Sequence, residues 1–321
     1  EHEPGASFIS PDMTDGDALF FDGRLWHGSA NKGNESRAAL LLQYARTGGT
    51  VPIQEFGASG WPFRMTGKHA PVLPVIAEGK ALNLQAQLPL PSISRDGAGY
   101  VPGPKGFVPY HLLRGATPNV PDMESHVSVL DPGQSPHPPH AHVEEELLIV
   151  LDGEAEIVIP DPADQPQPRT ARLTAGGVVY YPAYQLHTIR NVSQRPATYL
   201  MYKWRAAPKE TSGQLGTSIF HIEDAKSAPS GAAQSLAVLL ESPTGYLSRL
   251  HAHVTRMKPG GGYPAHSDGH DVAIIVFEGQ VETLGTKLGP KGTAFSPAGE
   301  PHGLRNADGV EARYLVFEFE G

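Results

Sequence analysis

The stretch Pro182-Ala-Tyr-Gln-Leu-His187-Thr-Ile-Arg-Asn191 returns as Pro297-Ala-Gly-Glu-Pro-His302-Gly-Leu-Arg-Asn306, at an offset of 115 residues. The segments that follow, beginning at Ala197 and Ala312, keep that offset. Upstream, His140-Ala-His142 returns as His266-Ser-Asp268, displaced by 126. A repeat this long exceeds the unit of a solenoid and has the size of a domain. Two like domains therefore stand in tandem. The eleven-residue excess between motifs in the first copy falls near Asp161-Pro-Ala-Asp-Gln-Pro-Gln-Pro-Arg169. Its prolines and polar residues read as a surface loop. With 36 Gly and 31 Pro in 321 residues, the repeating unit reads as many short strands joined by tight turns rather than a helical bundle.

Each unit carries chemistry at its turns. In the first, His140, His142 and Glu146 share one strand parity, so their side chains can converge. A second segment then has to bring His187 to the same point. Three imidazoles and a carboxylate suit a divalent transition metal such as Fe, Mn, Ni, Cu or Zn. Solvated histidines in a proline-rich loop are the alternative, but the spacing and the bracketing glycines Gly133, Gly153 and Gly176 favour the metal. Leu147–Leu151 and Glu154–Ile159 read as successive strands of a hairpin around Asp152-Gly153. The Ala273 segment plays the same part around Gly279. Leu148, Val150, Val179 and Tyr181 are candidate walls of a dry cavity. Tyr180 and Tyr184 are candidate phenols beside it, with an ordinary strand role as the alternative.

These motifs resemble the paired signatures of the cupin family. The first reads His-x-His, three spacers, Glu, six spacers, Gly, from His140 to Gly153. The second reads Gly, five spacers, Pro, then His and Asn four apart, from Gly176 to Asn191. Tyr184 stands where the family's second motif usually has Gly. That position is in a turn, so the change touches loop geometry more than ligation. The resemblance implies an all-β chain of two tandem cupin barrels (double-stranded β-helix jelly rolls), with His140, His142, Glu146 and His187 as metal ligands. Glu144 shares the parity of Glu146 and is the substitute if the register shifts.

In the second barrel His266 and His302 keep their places, Asp268 replaces the second histidine, and Val272 stands where the carboxylate should be. Losing two ligands of four favours a lapsed site. The other reading is a two-histidine, one-carboxylate triad of His266, Asp268 and His302, with His270 as a further ligand of matching parity.

A third half-signature lies in the first sixty residues, where His27 and Asn31 repeat the four-residue spacing. This segment resembles the C-terminal half of the phytanoyl-CoA dioxygenase family. The resemblance implies His27 as an iron ligand and Arg37 as the fork that holds the far carboxylate of 2-oxoglutarate. No His-x-Asp precedes position 27, and the chain starts with Glu. The expectation is a partial barrel cut from a longer precursor and, as given, a packing element. 2-Oxoglutarate enters only if that barrel is complete in the native protein.

The expected organisation is 1–60 partial oxygenase-like segment, 61–106 Pro/Gly-rich linker, 107–208 first cupin with the metal, and 209–321 second cupin with the altered site, with a short helical turn near Ile222. A net charge of −9, with no basic stripe, argues against nucleic acid as a partner. No apolar run is long enough to span a membrane. With no cysteine, the chain fits a reducing compartment, and a cytoplasmic protein is expected. Asn191-Val-Ser193 matches a glycosylation sequon by chance. The expected function is a metal-dependent oxygenase, with Fe or Mn favoured over Zn, Ni or Cu, acting on a small-molecule substrate; a homodimer is compatible with it. Two alternatives stand beside it: a non-catalytic bicupin that binds metal or a small molecule, and a 2-oxoglutarate hydroxylase fused to cupins.

Overall fold

The computed structural model describes residues 11–14, 18–19, 90–104, 106–160, 168–227 and 233–321, together with the backbone of short strands at 50–52, 69–71, 76–77 and 80–81. His27, Arg37 and most of the expected linker lie outside the described residues. Among the described residues the chain is strands and turns, with 3-10 turns at Gly97–Gly99 and Ile222–Asp224.

Each barrel pairs one large sheet with one small one. In the first, the large sheet runs Ser218–His221, Gly177–Tyr181, Glu145–Asp152, Ala197–Arg205, Asp122–Leu130, Phe107–Gly115. Its small sheet is Arg169–Thr174, Glu154–Ile159, Thr188–Arg190. In the second, the large sheet runs Lys226–Ser227, Gln234–Ser242, Arg249–Met257, Ala312–Glu320, Asp271–Glu278, Thr293–Ser296, Ile93–Arg95. Its small sheet is Gly262–His266, His302–Arg305, Val281–Thr283, Thr286–Leu288.

Strand alternation gives the central strands of the two large sheets two buried faces. Leu148, Val150, Val179 and Met201 join Ile157 and Ile189 of the small sheet inside the first barrel. Val272, Ile274 and Val316 do the same with Val281 and Leu304 in the second. The opposite parity, Leu147, Ile149, Tyr202 and Trp204 from one barrel and Ile275, Phe295, Phe317 and Phe319 from the other, forms one shared core. There Trp204 meets Phe319 edge-on at 5.3 Å between ring centroids. Each such fully buried side chain contributes roughly 1.5–3 kcal/mol. The barrels are thus two halves of one folded body.

Two short strands, one in the expected linker and one within the expected limits of the second cupin, cross between the halves. Ile93–Arg95, in the stretch read as linker, pairs with Thr293–Ser296 of the second barrel. Ser218–His221, upstream of the second barrel's own strands, pairs with Gly177–Tyr181 of the first. One edge of each large sheet is therefore capped by a short strand from the arm that precedes the other barrel.

The hairpin expected at Asp152-Gly153 does not form. Glu145–Asp152 pairs with Gly177–Tyr181 and Ala197–Arg205. Glu154–Ile159 pairs with Arg169–Thr174 and Thr188–Arg190. The turn is a corner at which the chain leaves the large sheet for the small one. Gly153 sits at φ 78° and a Cβ there would meet Pro196 O at 2.6 Å. Gly279 repeats this at φ 67°, with Glu311 O at 2.5 Å. A positive φ and the close approach of a second backbone both require glycine.

Two buried polar contacts close the seam. Thr117 Oγ1 donates to Asp271 Oδ2 at 2.5 Å, and Thr244 Oγ1 donates to Glu145 Oε2 at 2.7 Å. Glu145 and Asp271 open equivalent strands of the two barrels, so one contact mirrors the other. Burial pushes the Asp271 carboxyl up to about 6, against the pull of Thr117 and of the Ala298 N–H. Burial raises Glu145 as well, with Thr244 opposing it. Between the ordinary carboxyl range and about pH 6 the folded chain holds the Asp271 proton more tightly than the unfolded chain. Stability from this group therefore falls as pH rises through that window. Thr117→Val is expected to destabilise the protein by roughly 1–3 kcal/mol. The loss, measured by urea denaturation, should be larger at pH 8 than at pH 5, because the ionised carboxylate is what loses its donor. Equal losses at both pH values would refute this account of the contact.

Candidate metal centres

Glu146 is the second residue of Glu145–Asp152, on the face that looks into the first barrel. His140 and His142 precede that strand, so a continuous strand parity does not place them as the sequence suggested. A backbone bridge places them instead. His140 N donates to His187 O at 3.1 Å and His187 N to His140 O at 3.0 Å. This isolated pair sets the two histidines side by side, ring centroids 5.1 Å apart. His142 stands 5.2 Å from His140 and 5.1 Å from His187 by the same measure. One donor atom from each of the three lies within 4.8 Å of the other two.

Tautomers follow from the backbone acceptors. A carbonyl oxygen only accepts, so His142 Nδ1–H donates to Glu144 O at 3.0 Å and His187 Nδ1–H to Gln185 O at 2.8 Å. That turns Nε2 of both rings inward, 3.1 Å and 3.5 Å from Glu146 Oε2. Burial alone would raise the Glu146 carboxyl, but the hydrogen bonds to His142 and His187 outweigh it and hold the group at about 2. Burial, then His137 and His187, lowers His140 to about 4, so its imidazole is neutral near pH 7. Burial would lower His187 too, but Glu146 raises it. Neutral rings here would aim lone pairs at an ionised carboxylate, a geometry that calls for a cation at the centre. His140 Nδ1 is buried without a hydrogen-bond partner. Glu144 is not the inward carboxylate: its Oε2 lies behind His142, 3.3 Å from Nδ1.

Neither phenol proposed from sequence reaches this point. Tyr180 lies in the seam beside Trp204, and Tyr184 is 70% exposed. The ring that does reach it is Tyr181, stacked on His187 at 4.1 Å and 14°. Tyr181 follows from parity, since it faces the same way as Val179. Asn191 is 1% exposed and its Nδ2 donates to Leu130 O and Arg195 O at 2.9 and 2.7 Å. Asn306 does the same toward Met257 O and Val310 O, at 2.9 and 2.8 Å. The motif asparagine is a turn clamp, and its buried amide is closed to glycosylation.

The second barrel repeats the inward geometry with fewer groups. His302 Nδ1 and His266 Nδ1 each donate to a carbonyl, Glu300 O and Pro264 O, both at 3.2 Å. Their Nε2 atoms face Asp268 Oδ2 at 3.2 and 3.4 Å. Side-chain exposure is 5% for His302, 27% for Asp268 and 46% for His266, so this site is more open than the first. His270 Nε2 stands off at 3.8 Å from Asp268 and 3.5 Å from Glu318. A further group, the buried His251 and His253 with the half-buried Glu318, also gathers donor atoms within 4.8 Å. The motif comparison missed it because its members lie on strands outside both signatures. The signal was the His-x-His spacing of 251 and 253 on one strand face.

A sequence model of the cupin domain matches residues 126–202. No curated protein matches the chain. Among solved structures, a protein named as glyoxylate-induced from Pseudomonas aeruginosa superposes with a TM-score of 0.53 at 14% identity, over 67% of this chain and 80% of that one. An oxalate decarboxylase from Lactobacillus farciminis gives 0.48 at 13%, over 71% and 89%. A 7S globulin from Momordica charantia gives 0.48 at 15%, over 72% and 82%. At 14% identity the first of these likenesses is one of fold. The fold is the cupin jelly roll, and the histidine and carboxylate groups it encloses can hold a metal ion. Among the described residues no helix is long and apolar enough to cross a membrane.

The motif departure at Tyr184 has a cost. Its φ is 64°, and Gly299, its counterpart, has φ 82°. Both turns make one bond, Tyr184 N to His142 O at 2.7 Å and Gly299 N to Asp268 O at 2.8 Å. An L-residue in this left-handed region costs about 1–2 kcal/mol, of which glycine returns roughly 0.5–1 through the unfolded chain. Tyr184→Gly is thus expected to raise the thermal midpoint by a few degrees with metal content unchanged. A fall in the midpoint would show that the exposed ring holds the loop.

Proposed function

We propose that the first barrel holds one divalent transition metal, iron or manganese, on His140, His142, Glu146 and His187, and that the protein is an oxygenase acting on a small organic molecule. The observation that carries this reading is the pair of inward Nε2 atoms of His142 and His187, 3.1 Å and 3.5 Å from Glu146 Oε2 with backbone carbonyls occupying both Nδ1 atoms, and His140 grouped with them. His140, His142, Glu146 and His187 would hold the ion, which when bound would supply Lewis-acid or redox chemistry toward a small substrate.

The chain's own residues prepare that point. Tyr181 stacked on His187 restrains the ring. Leu148, Val150, Val179, Ile157 and Met201 line the interior and exclude water, which strengthens each charge interaction within it. Lys203 lies directly across from Glu146 in the sheet register. Its ammonium lends the site a positive charge that favours a substrate carboxylate or oxyanion. By the same reasoning His266, Asp268 and His302 hold a second ion, in the ligand set common among non-haem iron oxygenases.

Two measurements test the reading. Elemental analysis of purified His140→Ala/His187→Ala is expected to show one metal equivalent fewer than the parent; an unchanged content would refute the assignment. Oxygen uptake by the iron- or manganese-loaded protein, across a panel of small carboxylic acids, phenols and polyols, is expected to depend on metal and to vanish in His187→Ala. Stoichiometric metal with no uptake on any of them would overturn the oxygenase reading in favour of a binding module.

A further inference from the structure

The large sheet of the second barrel carries a polar group unlike anything in the first. Asn191 and Asn306 clamp Leu130 O and Met257 O, which aligns the strand Asp122–Leu130 with Arg249–Met257. On that alignment Glu124, His126 and Lys203 of the first barrel become His251, His253 and Glu318 of the second. The charge at the centre is inverted, an ammonium giving way to a carboxylate, and a carboxylate gives way to an imidazole. Barrel packing asks for neither change. Together they convert a position that repels cations into one that collects donors.

The donors are already aimed. His251 and His253 are two apart on one strand and so share a face. They are 8% and 9% exposed. Glu241 Oε2 accepts from His251 Nδ1 at 2.9 Å, which leaves His251 Nε2 as the free donor atom. That nitrogen is 3.2 Å from His253 Nδ1. Tetrahedral metal–nitrogen bonds of about 2.0–2.1 Å would set neighbouring donors about 3.3 Å apart. His253 Nδ1 is 4.0 Å from Glu318 Oε1, while Glu318 Oε2 is taken by Arg249 at 2.9 Å. A carboxylate behind one imidazole and a guanidinium behind the carboxylate orient donors as outer partners do in metal sites.

We propose that His251 Nε2, His253 Nδ1 and Glu318 Oε1 form a separate site for a divalent transition cation of the zinc class. It does not rest on the oxygenase reading. The ion ties Arg249–Met257 to Ala312–Glu320. The opposite faces of these strands, with Leu250, Ala252, Phe317 and Phe319, build the seam between barrels. The role is structural: the cation clamps the sheet on which the two barrels meet. Glu241 and Arg249 are positioning residues. The competing arrangement is metal-free, with His253 Nδ1–H donating to His251 Nε2 in a hydrogen-bonded relay to Glu241.

Cobalt(II) is the probe, and the full chain with His140→Ala, His187→Ala, His266→Ala and His302→Ala is the background. That background is expected to bind one cobalt equivalent with visible d–d absorption, displaced by zinc, and to gain several degrees of thermal midpoint on binding. Adding Glu318→Gln is expected to weaken binding about a hundredfold or more, and adding Glu241→Gln to weaken it less, at the low end of the roughly 10–100-fold range for outer-partner changes. A folded background that binds no cobalt, or a Glu318→Gln variant that binds as tightly as its parent, overturns the proposal. If the background does not fold, the parent protein carries the test: Glu318→Gln alone must lower total cobalt by one equivalent, and an unchanged total refutes the site. Loss of oxygen uptake in His187→Ala leaves this outcome untouched, so the two readings fail separately.

Discussion

Everything in this molecule hangs on central strands that are buried on both faces. In an ordinary sandwich sheet one face meets the core and the other meets water. Here the large sheet of each barrel gives one face to its own interior and the other to its twin, so Leu147 and Leu148 are neighbours in sequence yet belong to different cores. Register is then doubly constrained. A slip of one residue would drive Glu146 into an aromatic seam and Leu147 into the donor cluster, with a penalty on both faces. The seam therefore does more than hold two barrels together: it fixes which parity looks inward, and with it the placement of the inward carboxylate.

Inside that frame, electrostatics sorts the two barrels. Both use one device, an imidazole whose Nδ1–H is anchored on a backbone carbonyl so that Nε2 points to a carboxylate. The first barrel faces its carboxylate with His142 and His187, groups His140 with them, and stacks a tyrosine ring on His187. The second leaves His266 half open and gathers further donors on the neighbouring strands Arg249–Met257 and Ala312–Glu320, where Glu318 stands in place of Lys203. Duplication preserved the shell, because the seam needs both copies, and left the interiors free to diverge. Surface-type pairs such as Arg305 with Glu282, on the outer face, add little to this by comparison.

Much of this was legible in the residues. The tandem repeat and the all-β class follow from spacing, because spacing maps onto strand faces and turns; His140, His142, Glu146 and His187 could be named from their motif, but a backbone bridge and not strand parity sets His140 beside His187. The polar Asp268 could be picked out as a carboxylate in a histidine's place, but not its distance to His302. What stayed illegible involves pairing across distance. Asp152-Gly153 has the composition of a hairpin, and only the neighbouring backbone at Pro196 shows it to be a corner. Tyr180 and Tyr181 are equivalent as a dipeptide; one lies against Trp204 and the other against His187.

The division has a physical cause. Local periodicity, glycine placement and donor type are properties of a short window, so the sequence by itself determined the kind of barrel, its duplication and the types of donor group each carries. Which strand arm closes which sheet edge, which carboxyl is buried against which threonine, and which histidines on unrelated strands face one another depend on contacts between residues tens to more than a hundred positions apart. Those were decided only when two sheets, each apolar on both sides, found each other and excluded the water between them.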